Sequence, residues 1–257
     1  MTFKSFIRRT AERLLGIHIF RVLPRGVDQF KDIQSEFSDY QMNVIFDVGA
    51  NTGQSAKAYA TSFAKAHIHS FEPIKESFGL LEKSVFSFHN VHCHHLALGL
   101  ENGFVQMISD GVSPMNRQMK QTTAEASRAS NSTERVKIVS LDSFCADNAI
   151  PHISYLKIDT EGMDREVLKG AYSMLSREAI DFVEVEAGMN PDNLHHAPFE
   201  DLKSGLESHG FRLFGIYEQV SEWPTGAPHL RRVNAVFLSG AMIAIKSSQE
   251  LISKSSR

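Results

Sequence analysis

The sequence predicts an α/β domain in which a mostly parallel sheet carries helices on both faces. Three observations predict it. From residue 43, short β-branched or apolar runs alternate with segments of helical period, the pattern left by strands joined through crossover helices. The first such run passes directly into a glycine-containing turn, VIFDVGANTG at 44–53. A chain of 257 residues with 42% hydrophobic side chains has enough apolar surface for one full core.

Taken in order, residues 3–15 place Phe3, Phe6, Ile7, Leu14 and Leu15 at helical spacing among Lys4, Arg8, Arg9 and Arg13. That is a basic amphipathic helix, either laid over the main domain or making a peripheral contact with anionic lipid. Strands are expected at 44–48, 67–71, 91–96, 153–158, 180–185, 211–216 and 233–238, from apolar or β-branched runs bounded by turn residues. Helices are expected at 54–66, 75–86, 164–175 and 199–209. Two extra strands, 104–108 and 136–139, flank a polar stretch at 110–134 rich in Ser, Thr, Asn and Gln. A stretch of that kind is either a mobile surface loop or a lid that meets an acceptor, with Asn116 and Arg117 as polar contacts. The organisation expected is an N-terminal helix and lead-in at 1–42, one domain at 43–240, and a C-terminal tail at 241–257, frayed from 246.

The formal charge of −3 offers no general attraction for a phosphate backbone, which excludes a nucleic-acid partner as the first expectation. Only Cys93 and Cys145 occur, in no zinc-ligand spacing, as in a reduced compartment. No apolar stretch approaches the ~18 residues of a membrane span, and the N-terminus lacks a signal-peptide pattern. A soluble, cytoplasmic protein of open oligomeric state is expected.

In an open parallel sheet, ligands sit beyond the carboxyl ends of the strands, and the first turn is the usual contact. Here that turn has two glycines, Gly49 and Gly53, rather than the three of a dinucleotide fingerprint, and an acid, Asp47, precedes them. A carboxylate there repels a diphosphate and attracts an ammonium or sulfonium group, and S-adenosyl-L-methionine carries both. The second strand ends in Ser70-Phe71-Glu72-Pro73, which puts Glu72 nineteen residues beyond Gly53, close to the spacing used to hold ribose hydroxyls.

The fourth strand reads ISYLKIDTEG at 153–162, and alternation puts Lys157 and Asp159 on one face with Glu161 just beyond. Charges at the centre of a parallel sheet are costly unless paired or at the ligand edge. Either they form a structural ion pair with a helix cap, or Asp159 handles the proton of an acceptor hydroxyl while Lys157 holds its charge state. The fifth strand adds Glu184 and Glu186 on one side, with Glu186 beside Asp159, and His195 and His196 follow, either able to supply a general base at neutral pH. The general-base candidates are Asp159, Glu186 and His195, in that order. Three acids at neighbouring strand ends also suit Mg²⁺, although no metal is assigned. His92 and His94, in a run with Cys93 and His95, are expected to be packed or solvated rather than ligating.

Through VIFDVGANTG (44–53), SFEP (70–73), Ala97-Leu98-Gly99, VSLD (139–142) and above all LKIDTEGMDREVLKGA (156–171), the chain resembles the FkbM family of S-adenosylmethionine-dependent methyltransferases over about residues 43–240. The resemblance implies a Rossmann-like methyltransferase fold, seven-stranded with the last strand antiparallel, that moves a methyl group to a hydroxyl oxygen of a sugar, glycolipid or secondary metabolite. Asp47, Gly49, Asn51, Gly53 and Glu72 match its cofactor motif. Lys157, Asp159, Glu161 and Gly162 match its fourth-strand signature, and Glu161 is grouped here with the cofactor residues. Met163-Asp164 stands where the family often has Ala-Glu. The competing functions are an NAD-dependent oxidoreductase or epimerase, disfavoured by Asp47 and the missing third glycine, and a catalytically silent binding protein of the same fold.

Overall fold

A computed structural model describes residues 20, 23–109, 117–118, 132–193 and 195–255. The expected helix at 3–15 and nearly all of the 110–131 stretch lie outside the described residues.

The chain alternates α1 (Gln29–Glu36), β1 (Val44–Val48), α2 (Gln54–Ser62), β2 (His67–Phe71), α3 (Lys75–Val85) and β3 (Val91–His94). Then come β4 (Ala97–Gly99), β5 (Gly103–Ser109), β6 (Arg117–Gln118), β7 (Ser132–Ser140) and α4 (Leu141–Asp147). The remainder is β8 (Ile153–Ile158), α5 (Asp164–Gly170), α6 (Tyr172–Ser176), β9 (Ile180–Gly188), α7 (Phe199–Ser208), β10 (Arg212–Glu222), β11 (Ala227–Leu238) and α8 (Gly240–Ser255). The main sheet has seven strands in the order β10-β11-β9-β8-β1-β2-β3, and only β11 runs antiparallel to its neighbours. This is the Rossmann-like methyltransferase arrangement that the resemblance implies.

Each central strand is buried on both faces, so successive residues serve different cores. Phe46, Val48, Leu156, Ile158, Val183 and Val185 pack under α4, α5, α6 and α7. Ile45, Ile68, Tyr155 and Phe182 pack on the other side, under Ile33 and Phe37 of the lead-in, Tyr59 of α2 and Met242 of α8. Asp28 caps α1 by accepting from the N–H groups of Phe30 and Lys31.

A second sheet of four strands, β4-β7-β5-β6, accounts for both extra strands expected from sequence and pairs them antiparallel, Val105 opposite Val136. Its inner face, Met107 and Val136, closes a small core over Ile74. The expected third strand at 91–96 stops short, at His94, and the Ala97–Gly99 run beyond it joins β7 in the second sheet. The helix expected at 164–175 is likewise two helices with a break at Ala171.

The expected frayed C-terminus is instead helical, α8. Its Lys246 Nζ donates to the Glu36 carbonyl at 2.6 Å and pairs with the Glu36 carboxylate at 3.0 Å, so the lead-in and the C-terminal helix cover one face together. On the β2–β3 edge, His94 stacks between Phe71 and His69, with ring centroids 4.8 and 5.3 Å away. Burial lowers the His69 and His94 imidazoles to about 3 and about 4, which suits neutral packed rings.

Gly170 shows how tightly α5 lies on the second sheet: a Cβ there would sit 1.9 Å from the Gly99 carbonyl oxygen. By contrast, a Cβ added to Gly79 in α3 would meet no heavy atom within 4 Å. Gly170→Ala should therefore lower the urea midpoint by the equivalent of about 2 kcal/mol or more, whereas Gly79→Ala should raise it by roughly 0.5–1 kcal/mol.

Candidate functional site

One cleft opens at the carboxyl ends of β1, β2 and β8, where the α/β topology places ligands. Its floor is the turn after β1. Gly49 and Ala50 donate their N–H groups to the Phe71 carbonyl at 3.0 and 2.9 Å, which ties this turn to the end of β2. Gly49 has φ +84°, and a Cβ on it would lie 1.9 Å from the Asp159 carbonyl oxygen. Only glycine lets the turns after β1 and β8 approach so closely. Asn51 holds a left-handed φ of +48°, and its buried Oδ1 has no hydrogen-bond partner among the described residues.

Glu72 lines the cleft beside this turn. Its two carboxylate oxygens accept the N–H groups of Asn51 at 2.9 Å and Ile74 at 2.8 Å. Burial nevertheless pushes its carboxyl up to about 7. Apolar walls come from Phe71 and Leu96 and from Leu98, Val105, Met107 and Ile138 of the second sheet.

The other end is charged. Strand register sets Ser70, Asp47, Lys157 and Glu184 side by side in one rung across β2, β1, β8 and β9. Lys157 Nζ donates to Asp159 Oδ2 at 2.9 Å and lies 3.7 Å from Asp47 Oδ1. Burial works against the ammonium, but Asp159 and Asp47 outweigh it and hold Lys157 well above the usual lysine range. Burial also opposes the charge on Asp159, and there Lys157 prevails and lowers the carboxyl. Asp47 is fully buried, lies beneath the turn and is absent from the cleft lining. The cation it faces is Lys157.

Glu184 also departs from the expected acidic trio. It accepts from the Tyr155 hydroxyl at 2.6 Å and from Asn234 Nδ2 at 2.8 Å, inside the sheet. Glu186 does reach the cleft next to Asp159, where His196 Nε2 lies 2.8 Å from its Oε2 and Arg232 pairs with its Oε1. The histidine brought to this carboxylate is His196. His195 is absent from the cleft lining and donates its backbone N–H to Asn193 Oδ1 at 3.1 Å.

Glu161 lines the cleft from a left-handed φ of +53°. Burial, and then the nearby Glu186 and Asp159, push its carboxyl up to about 7. Asp164, in the Met163-Asp164 pair, is buried, accepts from Thr160 Oγ1 at 3.0 Å, and keeps Oδ1 without a partner among the described residues. The sequence offers His196 only jointly with His195, as a base after the fifth strand, and does not single out Arg232, whose only signal is a position at the start of the last strand. Asn116 lies outside the described residues, and Arg117 is described only as the β6 residue paired with Ile108.

Removing the ammonium would leave Asp47 buried with no cation to face. Lys157→Met should cost about 3–5 kcal/mol in urea denaturation, and adding Asp47→Asn to that variant should recover a measurable part of the loss.

Comparison with known proteins gives the following likenesses. Hexuronic acid methyltransferase AglP of Haloferax volcanii is 28% identical over 153 residues, which is 59% of this chain and 59% of that protein, so the chain matches less than two thirds of its curated relative's length. Precorrin-6y C5,15-methyltransferase of Geobacter metallireducens GS-15 superposes with a TM-score of 0.40 at 13% identity, covering 85% of this chain and 93% of that one. TrmK of M. capricolum, in complex with S-adenosyl-homocysteine, superposes with a TM-score of 0.40 at 9% identity, covering 86% and 70%. At these scores nothing about chemistry follows from either structure. The family described as Methyltransferase FkbM domain matches residues 47–213, well over half of the sequence, and the chain belongs to that family.

Proposed function

We propose that this protein is an S-adenosyl-L-methionine-dependent methyltransferase that methylates a hydroxyl oxygen of a carbohydrate or similar small acceptor. The observation that carries the proposal is a single cleft with a ribose-type carboxylate, Glu72, at one end and a charged pair, Lys157 and Asp159, at the other. Family membership and the likeness to a hexuronic acid methyltransferase support the same reading.

The residues present fit the cofactor. Each Glu72 oxygen spends one lone pair on a backbone N–H and keeps another for a ribose hydroxyl. Asn51 Oδ1, buried and unpartnered among the described residues, is an acceptor in search of a donor. The turn through Gly49, Ala50 and Asn51 lines the cleft, whereas Gly53 makes room for Ser84 and Leu81 of α3, and the apolar wall of Leu98, Val105, Met107 and Ile138 suits a flat base. Glu161 sits at the far end of the same lining. When bound, S-adenosyl-L-methionine supplies an electrophilic methyl group.

The chain's part is alignment and removal of the acceptor's proton. Asp159 is the base in this reading: it lines the cleft, Lys157 donates to its Oδ2 and holds the carboxyl ionised, and Glu186 stands beside it. Glu186 is the weaker candidate, because His196 and Arg232 engage its two oxygens. His195 ranks last, since it does not line the cleft.

Two measurements test this. Calorimetry should find S-adenosylhomocysteine binding and no NAD binding. Ribose hydroxyls favour the ionised Glu72, so below its value of about 7 a proton must leave before binding. Affinity should then fall by up to about tenfold per pH unit on acidification and level off above neutrality, and Glu72→Gln should weaken binding and flatten the profile. Asp159→Asn should retain S-adenosylhomocysteine affinity while lowering methyl transfer by roughly 10²–10⁴-fold, read as mass gain on a panel of hydroxylated sugars; transfer near the wild-type rate would remove Asp159 as the base.

A further inference from the structure

We infer that Glu161, Glu186 and His196 form a binding site for one first-row divalent cation of the Mn²⁺ type, at the acceptor end of the cleft. Each offers one ligand atom, and the three atoms lie within 4.8 Å of one another. They come from three separate segments: the turn after β8, the end of β9 and the loop that leads to α7.

The histidine is arranged as a ligand. Asn193 is buried and its amide has only one orientation that satisfies its neighbours: Nδ2 donates to the Arg231 carbonyl at 3.0 Å, and Oδ1 accepts the His195 N–H at 3.1 Å. Oδ1 is therefore an acceptor toward the His196 ring as well, and Nδ1, 3.0 Å away, has to be the donor. This leaves Nε2 directed at Glu186. A histidine that ligates a metal is usually held in this way, with its other ring nitrogen donating to a carbonyl or carboxylate.

A second observation points the same way. Asp164, 1% exposed, leaves Oδ1 without a hydrogen-bond partner among the described residues. It stands within the field of Asp159 and Glu186. The basic groups that answer these acids are Lys157, which serves Asp159 and Asp47, Arg232, which takes Glu186 Oε1, and His196, which faces Glu186 Oε2. Glu186 Oε2 and His196 Nε2 face each other at 2.8 Å, and the cation would take the place of that contact, bound by both atoms. Two carboxylates and one imidazole suit Mn²⁺ better than Mg²⁺, which prefers oxygen ligands alone. The site is incomplete with three protein ligands, so water or an acceptor hydroxyl would fill the rest. On the proposed methyltransferase reading, on which this role rests, a coordinated hydroxyl becomes more acidic and its proton passes to Asp159.

The full chain, treated with chelator and titrated with Mn²⁺ under electron paramagnetic resonance, should show one saturable site. His196→Ala should weaken it at least tenfold, and Asn193→Leu, which only releases the ring, by about tenfold. Glu161→Gln, nearly isosteric, guards against loss of fold and should also weaken it. In His196→Ala and Asn193→Leu, S-adenosylhomocysteine affinity should stay within about twofold of wild type, since Glu72 and the β1 turn are untouched. Absence of saturable binding up to about 1 mM, or equal binding by wild type and His196→Ala, overturns the site. Mn²⁺ bound without any S-adenosylhomocysteine binding would instead sink the methyltransferase reading and leave the cation site standing.

Discussion

The ligand edge depends on one buried ammonium. Lys157 stands buried in the middle of the sheet, and it answers Asp47 on one side and Asp159 on the other. Replacing such a group by a hydrocarbon along with its partners is often neutral or favourable for stability, so its value lies in what it positions. Asp47 precedes the turn after β1, and Asp159 opens the turn after β8. The charge pulls these two turns together, and Gly49 allows the contact by lacking a side chain where the Asp159 carbonyl passes. The cleft lies where they meet.

The second sheet gives the cleft its asymmetry. Val105, Met107 and Ile138 form a dry wall at the Glu72 end, whereas the opposite end has Glu161, Glu186 and Arg232. Dryness raises the cost of ionising a carboxylate, as Glu72 shows, and strengthens every hydrogen bond made to it. An apolar flat group and a polar hydroxylated one would find different surroundings a short distance apart. The hydrocarbon wall is supplied by strands that do not belong to the seven-stranded sheet at all.

Much of the fold is legible in the sequence because local pattern and burial agree there. β1, β2 and β8 begin and end where the apolar runs do, since strands buried on both faces have no reason to alternate. The C-terminal helix reads as a tail because its Ser and Lys residues carry little apolar periodicity; what holds it is the distant Glu36. α1 escapes notice for a similar reason, its one fully buried residue being Ile33. At the site, Asp159 and Glu186 follow from strand register, which sequence alternation reports. Glu184 shares that alternation yet is claimed by Tyr155 and Asn234, partners on neighbouring strands that no local pattern reveals. The choice between His195 and His196 turns on the side chain of Asn193, two and three residues away, and adjacency alone carries no such information.

The antiparallel β11 enters the sheet between β9 and β10, both made before it, and brings Arg232 to Glu186 and Asn234 to Glu184. During synthesis from the N-terminus, β9 therefore waits with two carboxylates and neither of these partners, and with an open hydrogen-bonding edge, until β11 leaves the ribosome. The acidic corner is thus completed only once β11 has been made, with α8 alone still to follow, which favours a nascent chain that stays open at this edge over one that closes early around an unfinished pocket.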